Sequence, residues 1–312
     1  MDRPFDHRSP LFHISPASRS GRRNPANGKA ARLQTIRGKK ALVTGAASGI
    51  GRAIALALAR EGTELFLIDI DEPNLRISAR EAAALCPRVV VQVCDLANPA
   101  QISIGTAACL EAFGTLDILV NCAGVAHYGH ADQMTAEKWN EVISVNLLAP
   151  VQLVRELLPA LSAQSESHIL NVCSALGLVP ARKLIGYQTS KFALVGFSLA
   201  LRTELAATQV GVTAFCPGFV DTPMLDHVGP RWLRKSISLG PLSLVTAVET
   251  VARQAVAAIR RNRAIDISFG ARLLWIIYRI SPSLILWIFG RRSKPGPRER
   301  ASPETGSSLR IE

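Results

Sequence analysis

The sequence lacks the features that mark several classes of protein. None of its six cysteines stands in a CxxC pair or at a metal-ligand spacing, so we expect no metal site and no disulfide framework. Charged residues make up 19% of the chain, below the usual ~25%, whereas 48% of the residues are hydrophobic. This composition excludes a disordered protein, a collagen and a coiled coil, and it indicates a globular protein with a buried core.

Acidic residues are scarce at the two ends of the chain. Residues 1–40 hold ten basic and two acidic residues, and residues 271–312 hold eight and three. Residues 41–270 hold 18 basic and 19 acidic residues, so the net charge of +12 belongs to the ends. Basic ends act on anionic surfaces such as lipid headgroups or nucleic acid. Because the body is nearly neutral, we expect no nucleic-acid partner.

Short apolar runs alternate with helical stretches from Lys39 onward. Seven runs are predicted to be strands: Ala41–Val43, Leu65–Ile68, Val89–Val93, Leu116–Val120, Ile169–Val172, Val212–Phe215 and Ile265–Phe269. Continuous apolar strands separated by helices are typical of a parallel sheet that is covered on both faces. The predicted fold class is therefore α/β, a single doubly wound parallel sheet of about seven strands with helices on both faces.

A glycine-rich segment, Thr44 to Gly51 (TGAASGIG), lies between the first predicted strand and the first helix. Glycines there permit a tight turn and close approach of a pyrophosphate, and the start of the helix favours an anion. Asp69 ends the second strand, 18 residues beyond Gly51. A carboxylate at this place can accept hydrogen bonds from both adenosine ribose hydroxyls and would repel a 2′-phosphate. The pattern predicts NAD as the cofactor, with NADP less favoured.

The spacing Thr-Gly-x3-Gly-x-Gly resembles that of the short-chain dehydrogenase/reductase family, and the resemblance runs from about Lys39 to Gly270. It implies a Rossmann-like oxidoreductase. The cofactor-binding residues that it implies are Gly45, Ser48, Gly49, Ile50, Gly51, Asp69, Asp95, Leu96, Asn121, Ala123, Gly124, Tyr187, Lys191, Pro217, Gly218, Val220 and Thr222. Cys122 departs from the pattern, because the family has a second Asn at this place in its Asn-Asn-Ala-Gly turn.

Tyr187 and Lys191 stand four residues apart, on one face of a predicted helix. A free phenol has a pKa of about 10, and a nearby ammonium group together with a positive nicotinamide ring favours the phenolate and lowers that pKa. Ser174 lies 13 residues before Tyr187, at the family's spacing for the Ser that holds the substrate oxygen. Asn146 resembles the helix Asn whose backbone carbonyl holds a water. The resemblance implies a proton relay from Tyr187 through the ribose and Lys191 to that water, with Ser174 and Tyr187 contacting substrate.

These residues predict an NAD-dependent oxidoreductase that interconverts a lipophilic secondary alcohol and its ketone, with Tyr187 as general acid/base. Steroid, retinoid and fatty-acyl derivatives are the expected substrates. One alternative is an NADPH-dependent 3-oxoacyl-carrier-protein reductase, which Asp69 disfavours because no basic residue stands at Ser48 or Ile70. An alternative of another class is a non-catalytic NAD-binding scaffold at a membrane surface, which the complete catalytic group disfavours.

Composition and the family resemblance together divide the chain into three predicted parts. Residues 1–36, rich in Arg, Ser, Pro and Asn, are interpreted as a disordered basic leader, with a transit peptide as the alternative. Residues 37–270 are the predicted dehydrogenase domain, and residues 222–245 within it match the family's variable substrate lid. Residues 271–312 form an apolar and basic C-terminal extension.

The extension contains two apolar blocks, Leu273–Tyr278 and Leu284–Phe289. Neither block reaches the ~20 residues needed to span a bilayer. Tryptophans within the blocks and arginines behind them suit an interfacial helix pair, so residues 271–292 are a candidate for peripheral membrane contact. Packing on a second subunit is the alternative. We expect a cytoplasmic homodimer or homotetramer, with a possible association with the membrane surface.

Overall fold

The computed structural model describes residues 33–220 and 245–290. Its strands are β1 Lys40–Thr44, β2 Glu64–Asp69, β3 Val89–Val93, β4 Ile118–Asn121, β5 Ser167–Val172, β6 Val210–Cys216, β7 Phe219–Val220, β8 Val245–Thr246 and β9 Ile265–Ile267. Its helices are α1 Gly49–Arg60, α2 Glu72–Ala83, α3 Pro99–Phe113, α4 Ala136–Ile143, α5 Ala149–Ser162, α6 Ile185–Glu204, α7 Val248–Arg261, α8 Phe269–Ile280 and α9 Pro282–Gly290.

Seven strands form one parallel sheet in the order β3-β2-β1-β4-β5-β6-β9, and β7 pairs with β8 in a separate ribbon. Apolar residues such as Leu42 are buried in the centre of the sheet, where Leu42 lies in register with Phe66 on one side and Leu119 on the other. Helices α1 and α7 cover one face, and α3 and α5 cover the other. The predicted fold class is confirmed.

The strand order determines at which point of the sheet a ligand would bind. The chain leaves the sheet on one side of β1 after β3 and returns on the other side as β4. The loops that follow β1 and β4 therefore diverge, and in doubly wound sheets ligands bind in the crevice at this reversal, outside the carboxyl ends of the strands. The glycine-rich loop follows β1, so it lies at this crevice.

Most strand bounds differ from the sequence-based prediction by one or two residues, and two differences affect how the chain is divided. The last strand ends at Ile267, because Ser268 is the extended residue before α8 and Phe269 already begins the helix. Residues 33–36, assigned to the leader, are partly buried in the body: Leu33 is 4% exposed and Ile36 is 1% exposed. These two side chains join the apolar cluster beneath α1. The body therefore begins before residue 37, whereas residues 1–32 lie outside the described ranges.

Other predicted segments are covered only in part. The predicted lid, residues 222–245, lies outside the described residues apart from Val245, and so does residue 222 itself. Residues 271–290 of the extension form most of α8 and all of α9, with the break at Ser281 and Pro282. The division into leader, domain, lid and extension otherwise stays a prediction.

Within the described ranges, one helical run, Ala136–Ser162, is long and apolar enough to cross a membrane by length and composition. This run consists of α4, one stretch of π-helix over residues 144–148, and α5. Its α5 part packs against α3 and β5, and 44% of the apolar window is buried. Because it packs on the sheet in this way, we interpret it as a core helix.

Candidate active site

The glycine-rich loop between β1 and α1 leaves no room for side chains at two positions. Gly45 has a φ of +69°, and a Cβ atom there would lie 2.9 Å from the backbone nitrogen of Ala123. A Cβ atom at Gly51 would collide with the carbonyl oxygen of Gly45. Glycine avoids both clashes, so the loop turns tightly and α1 begins within it at Gly49. The unpaired N–H groups of the first helical turn suit a pyrophosphate.

Asp69, at the end of β2, is joined to this loop by its side chain. Its carboxylate accepts hydrogen bonds from the backbone N–H of Ala47 at 2.8 Å, of Ile70 at 2.7 Å and of Asp71 at 3.2 Å. Burial raises the pKa of Asp69, and these three hydrogen bonds oppose that effect. Because all three partners are donors, they favour the ionised carboxylate. The structure thus places an acceptor beside the loop, where the ribose of an adenosine would lie.

The turn after β3 brings Asp95 and Leu96 to the same edge. The N–H of Cys94 donates to the carbonyl of Asp69 at 2.9 Å, which fixes the end of β3 beside the end of β2. Asp95 accepts a hydrogen bond from the N–H of Ala97 at 2.9 Å, and Leu96 is buried. Both predicted residues therefore lie beside the end of β2 and close to Asp69.

The turn after β4 is held by the hydroxyl of Thr44, and this explains how Cys122 is accommodated. The Thr44 oxygen accepts from the N–H of Cys122 at 3.0 Å and of Ala123 at 3.2 Å. Both contacts use the backbone, so the turn does not depend on a side-chain amide at position 122. Burial raises the pKa of the Cys122 thiol to about 12, which leaves it neutral. Gly124 ends the turn, with its Cβ position 3.4 Å from Lys191 Nζ.

The segment after β6 lies at the opposite end of the crevice from Asp69. Pro217 and Gly218 connect β6 to β7, and the N–H of Gly218 donates to Ser268 Oγ at 2.9 Å. Val220 is buried in the ribbon that β7 forms with β8. Thr222, the remaining residue predicted for this part of the site, lies outside the described residues.

Strand β5 and helix α6 position three of the four predicted catalytic residues. Ser174 follows β5, and its hydroxyl oxygen accepts from the N–H of Leu176 at 3.1 Å, which leaves its proton available to another partner. Lys191 Nζ donates to the carbonyl of Val172 at 2.9 Å and lies 5.7 Å from the ring centroid of Tyr187. Ser174, Tyr187 and Lys191 are all buried.

Burial dominates the titration of this group. It raises the pKa of Tyr187 to about 12, and the hydrogen bond from Ser174 acts in the opposite direction. Burial also lowers the pKa of Lys191. Among the contributions of the protein itself, burial has the largest effect on the pKa of Tyr187. Tyr187 is therefore a protonated phenol at neutral pH. The sequence-based expectation that Lys191 and a positive nicotinamide ring together lower this pKa stays a prediction.

Asn146 holds the loop after β4 against α6 with its side chain. Its Oδ1 accepts from the N–H of Val125 at 2.7 Å, and its Nδ2 donates to the carbonyl of Val125 at 2.8 Å and to Ser190 Oγ at 3.0 Å. Ser190 in turn donates to the carbonyl of Tyr187 at 2.7 Å. The side chain of Asn146 is thus occupied by structural contacts, so its backbone carbonyl is the group left for a water.

Sequence analysis missed a feature of the residues around this carbonyl, namely a proline four residues further along the chain. In an α-helix the carbonyl of Asn146 would accept from the N–H of residue 150, but residue 150 is proline and has no N–H. The helix passes this point as a π-helical stretch, in which the N–H of Ala149 donates to the carbonyl of Ser144. Such π-bulges are frequent at functional sites. Pro150 therefore removes the α-helical donor of the Asn146 carbonyl.

Replacing Pro150 with Ala should return an N–H to this position and close the carbonyl of Asn146. We expect kcat to fall about tenfold, as for the loss of one hydrogen-bonded water of about 1.4 kcal/mol, with an unchanged KM for the cofactor. The measurement is the pH profile of kcat, which should change in shape because proton exchange with solvent becomes slow. Pro159→Ala, inside the same α5, is the matched control. Equal losses in both variants would assign the effect to helix packing instead.

A buried polar network behind the site was also missed. Asn121 Nδ2 donates to Asn171 Oδ1 at 2.8 Å, and Asn171 Nδ2 donates to Ser198 Oγ at 2.8 Å. The chain of bonds ends at the carbonyl of Leu194, 2.6 Å from Ser198 Oγ. It joins β4 to β5 and α6, the two elements that position Ser174, Tyr187 and Lys191. The signal was available, since Asn171 is a polar residue within a predicted apolar strand.

Comparison with known proteins now decides the family. A sequence profile described as short chain dehydrogenase matches residues 39–231. The chain belongs to the short-chain dehydrogenase family. It is an oxidoreductase of this family, as the resemblance implied.

Three relatives of this short-chain dehydrogenase are informative. A 3-oxoacyl-[acyl-carrier-protein] reductase from Thermotoga maritima is 32% identical over 218 residues, which are 70% of this chain and 89% of the relative. A short-chain dehydrogenase/reductase from Burkholderia phymatum, solved in complex with NAD, superposes with a TM-score of 0.73 at 30% identity. It covers 81% of this chain and 96% of its own. A 3-ketoacyl-(acyl-carrier-protein) reductase from Brucella melitensis, complexed with NADH, has a TM-score of 0.70 at 27% identity, covering 76% and 99%.

Two histidines of this dehydrogenase, His127 and His130, follow the turn after β4 and have structural contacts. The ring Nε2 of His127 lies 2.8 Å from Glu141 Oε2, and this pair joins the loop after β4 to α4. His130 begins a short 3₁₀ turn. Among the residues that the structure describes, no group of three or more His, Cys, Asp or Glu side chains could hold a metal ion.

Proposed function

We propose that the protein is an NAD-preferring oxidoreductase that interconverts a lipophilic ketone of the fatty-acyl type and its secondary alcohol. One observation carries the proposal. The buried carboxylate of Asp69, 2.8 Å from the Ala47 nitrogen of the glycine-rich loop, lies at the same sheet edge as Ser174, Tyr187 and Lys191. This edge thus combines a group that discriminates between cofactors with groups that move a proton.

The site fits a nicotinamide dinucleotide, which supplies or accepts the hydride when it is bound. Because Gly45 and Gly51 have no side chains, a pyrophosphate could approach the backbone of the loop closely. Asp69 would accept hydrogen bonds from the ribose hydroxyls. Lys191 and the Pro217-Gly218 segment would hold the nicotinamide end, as the family resemblance implies.

The protein's own residues provide the proton. In the reduction direction Ser174 donates a hydrogen bond to the carbonyl oxygen of the substrate, and Tyr187 transfers its phenolic proton to that oxygen. Lys191 stabilises the phenolate that forms and takes part in its reprotonation. The carbonyl of Asn146, whose α-helical donor is removed by Pro150, holds the water through which the proton is replaced from solvent. A Tyr187 that is protonated at neutral pH suits reduction of the ketone.

The substrate class is proposed from the surroundings of Ser174 and from the relatives. Cys173, Leu178 and Val179 are buried beside Ser174, and they pack with apolar residues of α8, including Trp275. These side chains favour an apolar substrate. Among lipophilic ketones we favour an acyl chain over a steroid or retinoid, because two of the relatives are named as oxoacyl or ketoacyl reductases.

A second candidate is an NADPH-dependent 3-oxoacyl-carrier-protein reductase, which the names of the same relatives support. Asp69 argues against this cofactor, because a buried carboxylate beside the loop repels a 2′-phosphate. Neither Ser48 nor Ile70 supplies a positive charge to receive one. Assembly as a homodimer or homotetramer and location in the cytoplasm also stay proposals.

The test is a panel of ketones assayed with NADH and with NADPH. It comprises a short and a long 3-oxoacyl thioester, a steroid ketone and a retinoid. We expect the highest kcat/KM for the long thioester with NADH, at least tenfold above the short one, since each buried CH₂ contributes about 0.8 kcal/mol. A higher kcat/KM with NADPH would establish the second candidate. Preference for the steroid or retinoid would reject the acyl class while leaving the cofactor assignment intact.

A further inference from the structure

The hairpin of α8 and α9 has one face that packs on the body and one that does not. On the packed side, Ala271 and Ile285 are buried, and Leu274 and Tyr278 contact the apolar cluster around Cys173. The N–H of Gly218 donates to Ser268 Oγ just before α8, which ties the hairpin to the active-site segment after β6. The position of the hairpin on the enzyme is thus set by its packed side.

The other side of the hairpin exposes large apolar residues, and we call this side the outer face. The outer face consists of Phe269 (90% exposed), Leu273 (60%), Ile276 (40%), Ile280 (80%), Leu284 (44%), Leu286 (54%) and Trp287 (54%). The α8 members recur at intervals of four, three and four residues, so they form one continuous stripe along the helix. A contiguous apolar surface of this kind marks an interaction site.

Charge indicates which partner covers the outer face. From Ile267 to Arg298 the sequence contains six basic residues and no acidic residue. Two of the six, Arg272 and Arg279, are exposed on α8 beside the stripe, and the Arg279 guanidinium lies 5.9 Å from the Trp275 ring. A second copy of the chain placed on this face would bring two such positive segments together. An anionic lipid surface offers both an apolar phase and complementary charge.

The dimensions of the hairpin fix its orientation on such a surface. Helix α8 has 12 residues and α9 has nine, so at 1.5 Å per residue they are about 18 Å and 14 Å long. The hydrocarbon core of a bilayer is about 30 Å thick, which neither helix can cross. A pair of this size, in which α8 is amphipathic and α9 is apolar, lies in the interface, with its exposed apolar residues towards the acyl chains and the arginines of α8 at the headgroups.

We propose that the outer face of the α8–α9 hairpin binds the surface of an anionic bilayer and holds the enzyme there. This inference goes beyond the proposed function, because it requires no particular substrate or cofactor. The contact between Ser268 and Gly218 places the bound surface next to the active-site segment after β6.

The test is co-sedimentation of the full chain with vesicles of phosphatidylcholine alone or with phosphatidylglycerol added. We expect binding to the anionic vesicles that weakens as salt is raised. The double variant Leu273→Ser with Ile280→Ser should lower the partition coefficient at least tenfold, since two apolar side chains no longer enter the interface. The variant Arg272→Gln with Arg279→Gln should lower it for anionic vesicles only.

The matched control is Ile77→Ser with Ile104→Ser, which replaces exposed apolar residues on α2 and α3 that are 46% and 60% exposed. This control should bind vesicles as the unchanged protein does. A blue shift of fluorescence on adding vesicles, lost in Trp287→Phe, gives a second readout.

Three outcomes would overturn the proposal. The first is that the unchanged protein stays in the supernatant with anionic vesicles at low salt. The second is that the control pair loses as much binding as the outer-face pair. The third is that, by light scattering, Leu273→Ser with Ile280→Ser converts an oligomer to a smaller species without changing vesicle binding, which would assign the outer face to a second copy.

Discussion

Replacing Tyr187 with Phe should lower kcat by about 10²–10⁴-fold, the usual contribution of a general acid or base. The phenol is buried, hydrogen-bonded to Ser174 and protonated at neutral pH, so it is the group that can donate a proton to the substrate oxygen. The Phe ring retains the packing of the phenol, so binding of NADH should change little. Steady-state kinetics and a fluorescence titration with NADH measure the two quantities separately.

Two further variants distinguish the loss of the phenolic proton of Tyr187 from other effects of a substitution near the site. Tyr128→Phe removes a hydroxyl from a half-buried tyrosine in the loop after β4 and should retain nearly full kcat. Lys191→Ala should lose both kcat and affinity for NADH, because Lys191 serves the phenol and the ribose together. If the Tyr187→Phe variant retained more than about a tenth of kcat, Tyr187 would not be the general acid.

Replacing Asp69 with Ala should shift the ratio of kcat/KM for NADH to that for NADPH by about 10- to 100-fold towards NADPH. The change removes hydrogen bonds from a charged acceptor, worth about 1.5–3 kcal/mol, and also the repulsion of a 2′-phosphate. Most of the effect should fall on KM, since Asp69 lies at the adenosine end and away from the reacting atoms. Kinetics with both cofactors at one saturating ketone concentration provide the measurement.

Asp71 supplies the matched control for this change. It is also a buried acid, two residues along the chain, but its carboxylate accepts from the N–H of Asn74 and caps α2. Asp71→Ala should therefore lower the melting temperature, through a lost helix cap of about 1 kcal/mol, without altering cofactor preference. Equal kcat/KM for NADH and NADPH in the unchanged enzyme would contradict the role assigned to Asp69.

Much of the fold and of the candidate site was accessible from the sequence because the signals are local. A buried parallel strand is a short apolar run, and all seven such runs are strands of the sheet, including Val89–Val93 with the same bounds. The tight loop after β1 favours glycine for local reasons, since Gly45 has a φ of +69° and a Cβ atom at Gly51 would collide with the carbonyl oxygen of Gly45. The four-residue separation of Tyr187 and Lys191 places both on one helix face by geometry alone.

The tertiary structure decided everything that depends on contacts between distant segments. Leu33 and Ile36 belong to the body because they pack beneath α1, although their neighbours in the sequence are polar and basic. The pKa of Tyr187 follows from burial, which the spacing to Lys191 does not reveal. The partner of Asp69 on the glycine-rich loop is likewise 22 residues away in the chain.

The sequence by itself therefore determined the strands, the fold class, the family and the residue types of the site, since periodicity, turn chemistry and spacing are properties of neighbouring residues. Only the folded chain showed that Asn121, Asn171 and Ser198 form one network, and that α8 has one face on the body and another exposed. The physical reason is that burial and hydrogen bonding depend on which elements meet in space. A helix has the same apolar pattern in its sequence whether its apolar face is covered by the body or exposed.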